Sequence, residues 1–98
     1  MTDILNEAFI ELERLGMTSN HCDFSVTWLN KSRRYLSMIR ASEREPSVDV
    51  IGRLAANLKY RHEFYKASKF GELREKSELI YPLTRKVWTA FYEKALER

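Results

Sequence analysis

Ile4, Leu5, Ala8, Phe9, Leu12 and Leu15 recur three and four residues apart, the spacing that gathers apolar side chains on one face of an α-helix. Thr2 or Asp3 can cap its first turn, and Gly16 offers the left-handed stop that ends it. Residues 17–22 show no periodicity and read as a connection. Phe24, Trp28 and Leu29 then share one side of a short second helix, for which Asp23 or Ser25 is the expected cap. Asn30 and Lys31 interrupt that pattern. Ser32 is the expected cap of a third helix, with Tyr35, Leu36 and Ile39 on its inner side. Residues 23–42 should therefore form helix, tight turn, helix.

Residues 43–46 break the chain, because a proline at 46 disfavours helical dihedrals in the residue before it. Ser47 caps a fourth helix, and Asp49 lies near its positive end. Val48, Ile51, Leu54, Ala55 and Leu58 form its buried stripe, and the same phase runs on through His62 and Tyr65 to about residue 69, with Gly71 as the next break. Leu79, Ile80, Leu83, Val87, Trp88, Phe91, Ala95 and Leu96 line a fifth helix, which Pro82 should kink or restart. The pattern predicts an all-α fold of about five helices in a single domain, 1–98. Its core is a helix-turn-helix-like unit at about 23–58, followed by an aromatic-rich C-terminal helix at about 72–97.

Composition agrees with this. A chain of 98 residues buries roughly two thirds of its extended surface, enough for one modest core. Three glycines and two prolines leave little room for the turns of an all-β chain. No stretch approaches the roughly 20 apolar residues that cross a bilayer. The amino terminus carries acids where a secretory signal carries lysines, so a cytoplasmic location is expected, nucleoid-associated if the chain binds DNA.

Candidate chemistry is sparse. Cys22 is the single cysteine, and with His21 and His62 it does not make a four-ligand zinc site, so no metal or cofactor is expected. Adjacent residues seldom aim their side chains at each other, so His21 and Cys22 read as a loop pair. His62, on the buried stripe, reads as a core histidine and not as a general base. Ser32 and Ser47 are caps, not nucleophiles, and no glycine-rich phosphate loop, HExxH or paired acidic motif occurs. The chain does not read as an enzyme.

Charge is where the sequence departs from the ordinary. Residues 1–29 hold five acids and one base, whereas residues 30–44 hold five bases and one acid. On a helix over 32–42, Arg33, Ser37, Arg40, Ala41 and Arg44 would cluster on one face with Arg34 at its edge, opposite Leu36 and Ile39. Such an element suits the major groove of double-stranded DNA. Arginine presents two parallel donors to guanine, and small residues permit close approach. The expected roles are base contacts from Arg33, Arg34 and Ser37, and phosphate contacts from Lys31, Arg40 and Arg44. The expected function is that of a small transcriptional regulator.

Residues 24–58 also resemble a family of short uncharacterised proteobacterial proteins. The likeness lies in a pattern of F-S-x-x-W-L, a small or basic turn, S-x-x-Y, R-A and R-E-P-S, carried here by Trp28, Ser32, Tyr35 and Arg44 to Ser47. Asn30 stands where that family commonly has glycine. The resemblance implies a helical, helix-turn-helix-like fold and lends no activity.

Eight of the twelve aromatic residues fall after residue 59. A helix-turn-helix protein gains affinity by dimerising, so Trp88, Phe91, Tyr92 and Leu96 are the expected homodimer contacts. The competing reading is a protein-interaction module, an adaptor or antitoxin-like partner, whose basic face docks on an acidic protein and whose aromatic helix forms the interface. RNA binding is a third reading. Trp28 and Tyr35 could stack on bases, but their phase with leucine and isoleucine neighbours assigns them to the core.

Overall fold

The computed structural model describes residues 3–96. It is all-α: α1 (Asp3–Arg14), α2 (His21–Asp23, passing directly into a π-helical turn, Phe24–Trp28), α3 (Tyr35–Ser42), α4 (Val48–Lys66) and α5 (Gly71–Leu96). No helix among these residues is long and apolar enough to cross a membrane.

One contiguous core ties the elements together. Leu5, Ala8, Phe9 and Leu12 of α1 meet Phe24, Trp28 and Leu29, then Leu36 and Ile39 of α3. Val50, Ile51, Leu54, Ala55 and Leu58 of α4 and Ile80, Leu83 and Val87 of α5 complete it. The first helix ends as expected, with Gly16 at φ +73° and its amide donating to the carbonyl of Glu13 at 3.0 Å.

Several boundaries differ from the sequence expectation. The second helix begins at His21, because the Asn20 side chain, and not Asp23 or Ser25, accepts the free amide of Asp23. The third begins at Tyr35, leaving Ser32, Arg33 and Arg34 in a turn before it. The fourth ends at Lys66, and Gly71 opens the fifth helix instead of breaking the chain. No restart occurs at Pro82, and α5 runs unbroken through it. The carbonyl that loses its donor belongs to Glu78, an exposed residue where water can serve it. Leu79 (53% exposed) borders the core face beside Leu83 without being covered, whereas Leu96 (79% exposed) stands on the side of α5 opposite Val87, and Ala95 is exposed too.

The dominant contact is the antiparallel pair α4 and α5. His62 faces Tyr81 with ring centroids 5.2 Å apart, and the Lys59 ammonium lies 5.7 Å from the Trp88 ring centre. Nearer the amino end of α4, Phe91 packs on Gly52 so closely that a methyl group there would sit 2.8 Å from its Cε1. Phe91 therefore turns towards α4 and is half-buried, which removes it from the outward set predicted for the C-terminal helix. A helical Gly→Ala change normally gains about 1 kcal/mol, but overpacking costs about 1–3 kcal/mol. Gly52→Ala should therefore lower stability in the native background and raise it in Phe91→Ala, a reversal of sign that paired thermal melts would reveal.

Candidate nucleic-acid interface

The connection between α2 and α3 is built around Ser25. Its side chain is fully buried in the π-helical turn, and its hydroxyl accepts the backbone N–H of Leu36 at 3.1 Å. Leu36 is the second residue of α3, so Ser25 satisfies an amide at the start of that helix from across the turn, where Arg34 makes no side-chain cap. The carbonyl of Ser25 also accepts the amide of Lys31 at 2.9 Å. Ser32, the expected cap, contributes only its backbone carbonyl, which accepts the amide of Tyr35 at 3.0 Å.

The turn itself reverses through Asn30 at φ +56°. This left-handed conformation favours glycine and next admits asparagine, which accounts for asparagine at a place where the resemblance has glycine. Glu43 ends α3 in the same conformation, φ +55°. On the far side, the Asn57 side-chain amide donates to the carbonyl of Trp28 at 2.8 Å, and the Arg61 guanidinium lies 5.2 Å from the Trp28 ring centre. Both hold the end of the π turn against α4.

The start of α2 is secured by a carboxylate. Asp23 accepts hydrogen bonds from the Thr18 hydroxyl at 2.7 Å, the Ser19 amide at 3.2 Å and the Thr27 hydroxyl at 3.1 Å. Donation from Thr18 is the largest influence holding its pKa below the ordinary 3.8, partial burial opposes it, and Ser19 and Thr27 add to it.

Lys31, Arg33, Arg34, Arg40 and Arg44 are all exposed. Among the described residues none of the five has an acid within ion-pair distance; of the acids of α1, Glu11 pairs with Arg14 and Glu7 with Lys86 at 2.6 Å. Arg33, Arg34, Arg40 and Arg44 do not share the one helical face expected over 32–42, because α3 spans only Tyr35–Ser42. Arg33 and Arg34 sit in the turn before α3, and Arg44 follows its end. With Leu36 and Ile39 buried, the 100° step per residue points Ser37, Met38 and Ala41 outward. Arg40 occupies one flank, its guanidinium 3.4 Å from Nε2 of His21 on α2. Lys31 and Arg44 occupy the other, where they border Tyr35: the Lys31 ammonium is 5.8 Å from its ring centre, and all three line a hollow of about 340 Å³. Burial raises the Tyr35 phenol above its ordinary pKa, and the charge of Arg44 opposes that.

The result is an uncharged ridge, Ser37, Met38 and Ala41, with cations on both flanks and two arginines at its leading end. Met38, 59% exposed, was missed from sequence because it lay outside the supposed basic face. Tyr35 is half-buried, as its phase with Leu36 and Ile39 implied. His21, beside Arg40, and Cys22 are half-buried, and among the described residues no group of three or more His, Cys, Asp or Glu side chains could hold a metal ion.

Ser25→Ala leaves the Leu36 amide buried without an acceptor, and should lower unfolding free energy by about 1–3 kcal/mol in denaturant titrations. The Asp23 carboxyl gives a pH test. Its folded pKa is depressed, so the stability it contributes is complete above 3.8 and is lost as pH falls through that value and the lower folded one. Thr18→Val removes its main donor, so the stability deficit of that variant against the native chain should be largest near neutral pH and shrink as pH falls below 3.8.

No curated protein and no solved structure matches the chain. A family model does, over residues 5–98, and the chain accordingly belongs to the Family of unknown function (DUF6626).

Proposed function

We propose that this protein binds double-stranded DNA as a small transcriptional regulator, with α2 and α3 acting as a helix-turn-helix pair. The supporting observation is the ridge of α3, bare of charge along its crest and flanked on both sides by exposed cations that have no acidic partner among the described residues. A major groove is about 12 Å wide and bounded by two rows of phosphates, so a rod that enters it needs small or apolar side chains on its crest and cations on its flanks. Arg40 serves one row, Lys31 and Arg44 the other. Arg33 and Arg34, at the amino-terminal approach to α3, are the base-reading pair, with Ser37 behind them. Bidentate donation from arginine to guanine supplies the discrimination.

The competing reading, a protein-interaction module, draws on the exposed side chains of Tyr60, Phe64 and Phe70, which lie away from the basic ridge in sequence and suit a protein partner. Anisotropy titrations against duplex genomic fragments at several salt concentrations separate the two. For the three phosphate contacts of Lys31, Arg40 and Arg44 the slope of log K against log salt should be about −3. Arg33→Ala with Arg34→Ala should erase preference among sequences, whereas Arg40→Ala should weaken all duplexes alike and flatten the slope by about 1. Absence of binding at low salt, with a protein partner retained after nuclease treatment, would overturn the DNA reading, and preference for structured RNA over duplex DNA would move it to RNA.

A further inference from the structure

The outward side of α5 carries a second pattern. Arg74, Glu78, Tyr81, Arg85, Trp88 and Tyr92 follow one another at intervals of 4, 3, 4, 3 and 4 residues, the seam spacing of a coiled coil. The seam is open: Tyr81 is 46% exposed, Tyr92 58%, and Arg74, Glu78 and Arg85 are exposed as well. It borders a groove of about 360 Å³ whose other wall is α4, through Lys59 and His62. Its rings are already preset, with Trp88 and Tyr92 centroids 5.4 Å apart and the Arg85 guanidinium 5.9 Å from the Tyr81 ring centre. The indole nitrogen of Trp88 is buried and has no hydrogen-bond acceptor among the described residues.

We infer that this seam is the contact between two copies of the chain, with the two α5 helices antiparallel about a two-fold axis level with Leu83. The charges select the arrangement. A parallel pair would set Glu78 against Glu78 and Arg85 against Arg85. An antiparallel pair matches each seam position with its complementary one, and the register centred on Leu83 overlaps the 26-residue helix over nearly its whole length. In that register Tyr81 faces Arg85 of the second copy, and Arg74 faces Tyr92, both of them cation and aromatic pairs. Glu78 falls in the layer of Trp88 of the second copy and one turn from its Arg85, so symmetry supplies two ion pairs. Sliding the pair by one heptad, so that Arg74 meets Arg85 of the second copy, sets like charges together and shortens the overlap. The seam thus complements itself, as an isologous contact must. This differs from the contact set expected from sequence, since Phe91 belongs to the α4 packing and Leu96 lies beside the seam.

The inference does not depend on DNA binding, and its test uses none. Sedimentation equilibrium of the full chain should show a monomer–dimer equilibrium. Glu78→Arg alone, or Arg85→Glu alone, replaces two attractions by two repulsions and should weaken the dimer at least about tenfold, while both together restore the two ion pairs and should bind more tightly than either single variant, short of the native chain because Tyr81 no longer faces a cation. Helix content by circular dichroism should stay unchanged in all three variants. A native chain that stays monomeric into the millimolar range, or single reversals that leave the dimer intact, would overturn the contact. Single reversals that weaken the dimer without recovery in the double variant would overturn the antiparallel register.

Discussion

The hydrogen bond from the Leu36 amide to the buried Ser25 hydroxyl carries more of this structure than any ion pair does. It spans the turn between α2 and α3 inside the core, where an unmade bond costs about 1–3 kcal/mol, against 0–1 kcal/mol for a surface ion pair. The direction of α3 is therefore set by an uncharged contact beneath it, in which none of the surrounding cations takes part. Asn57, holding the carbonyl of Trp28, anchors the same turn to α4, so the turn is fixed from both sides.

Much of this was legible in the amino-acid pattern. The stripe of α1 and the inner residues of α3 are where their spacing put them, and so is that of α4 except that Val50 is buried where Val48 was expected and Val48 is half-buried, since helical phase decides which side of an amphipathic helix is wetted. The π-helical turn was not legible. It adds one residue to a turn, so Phe24 and Leu29, joined by the Leu29 amide and the Phe24 carbonyl at 3.3 Å, stand five apart instead of four. Nor could sequence distinguish which serine starts α3, because Ser32 has the better local position and Ser25 acts through space. That exchange delays the helix to Tyr35 and takes Arg33 and Arg34 off it. Leu79 and Leu96 show the limit of reading a face by eye: Leu79 borders Leu83 yet stays 53% exposed, and Leu96, nine residues from Val87, falls on the opposite side of α5.

The long pair α4 and α5 divides its surfaces. At the amino end of α4 the absence of a side chain at Gly52 admits Phe91, and the helices close tightly. Further along, Lys59 and His62 meet Trp88 and Tyr81 less closely, leaving a groove and an aromatic seam. One helix thus serves the core with Ile80, Leu83 and Val87 and presents a different set of residues outward.

The chain has two tryptophans, and the fold gives them different surroundings. The Trp28 indole is sealed in the interior beneath the α2–α3 turn and donates to the carbonyl of Met17 at 3.4 Å, whereas Trp88 stands half-uncovered on α5. Their emission is accordingly separable, blue-shifted for the first and longer in wavelength for the second. The molecule holds two intrinsic optical reporters, one for the interior under the basic ridge and one for the outer side of the last helix, and each can be read after replacing the other with phenylalanine.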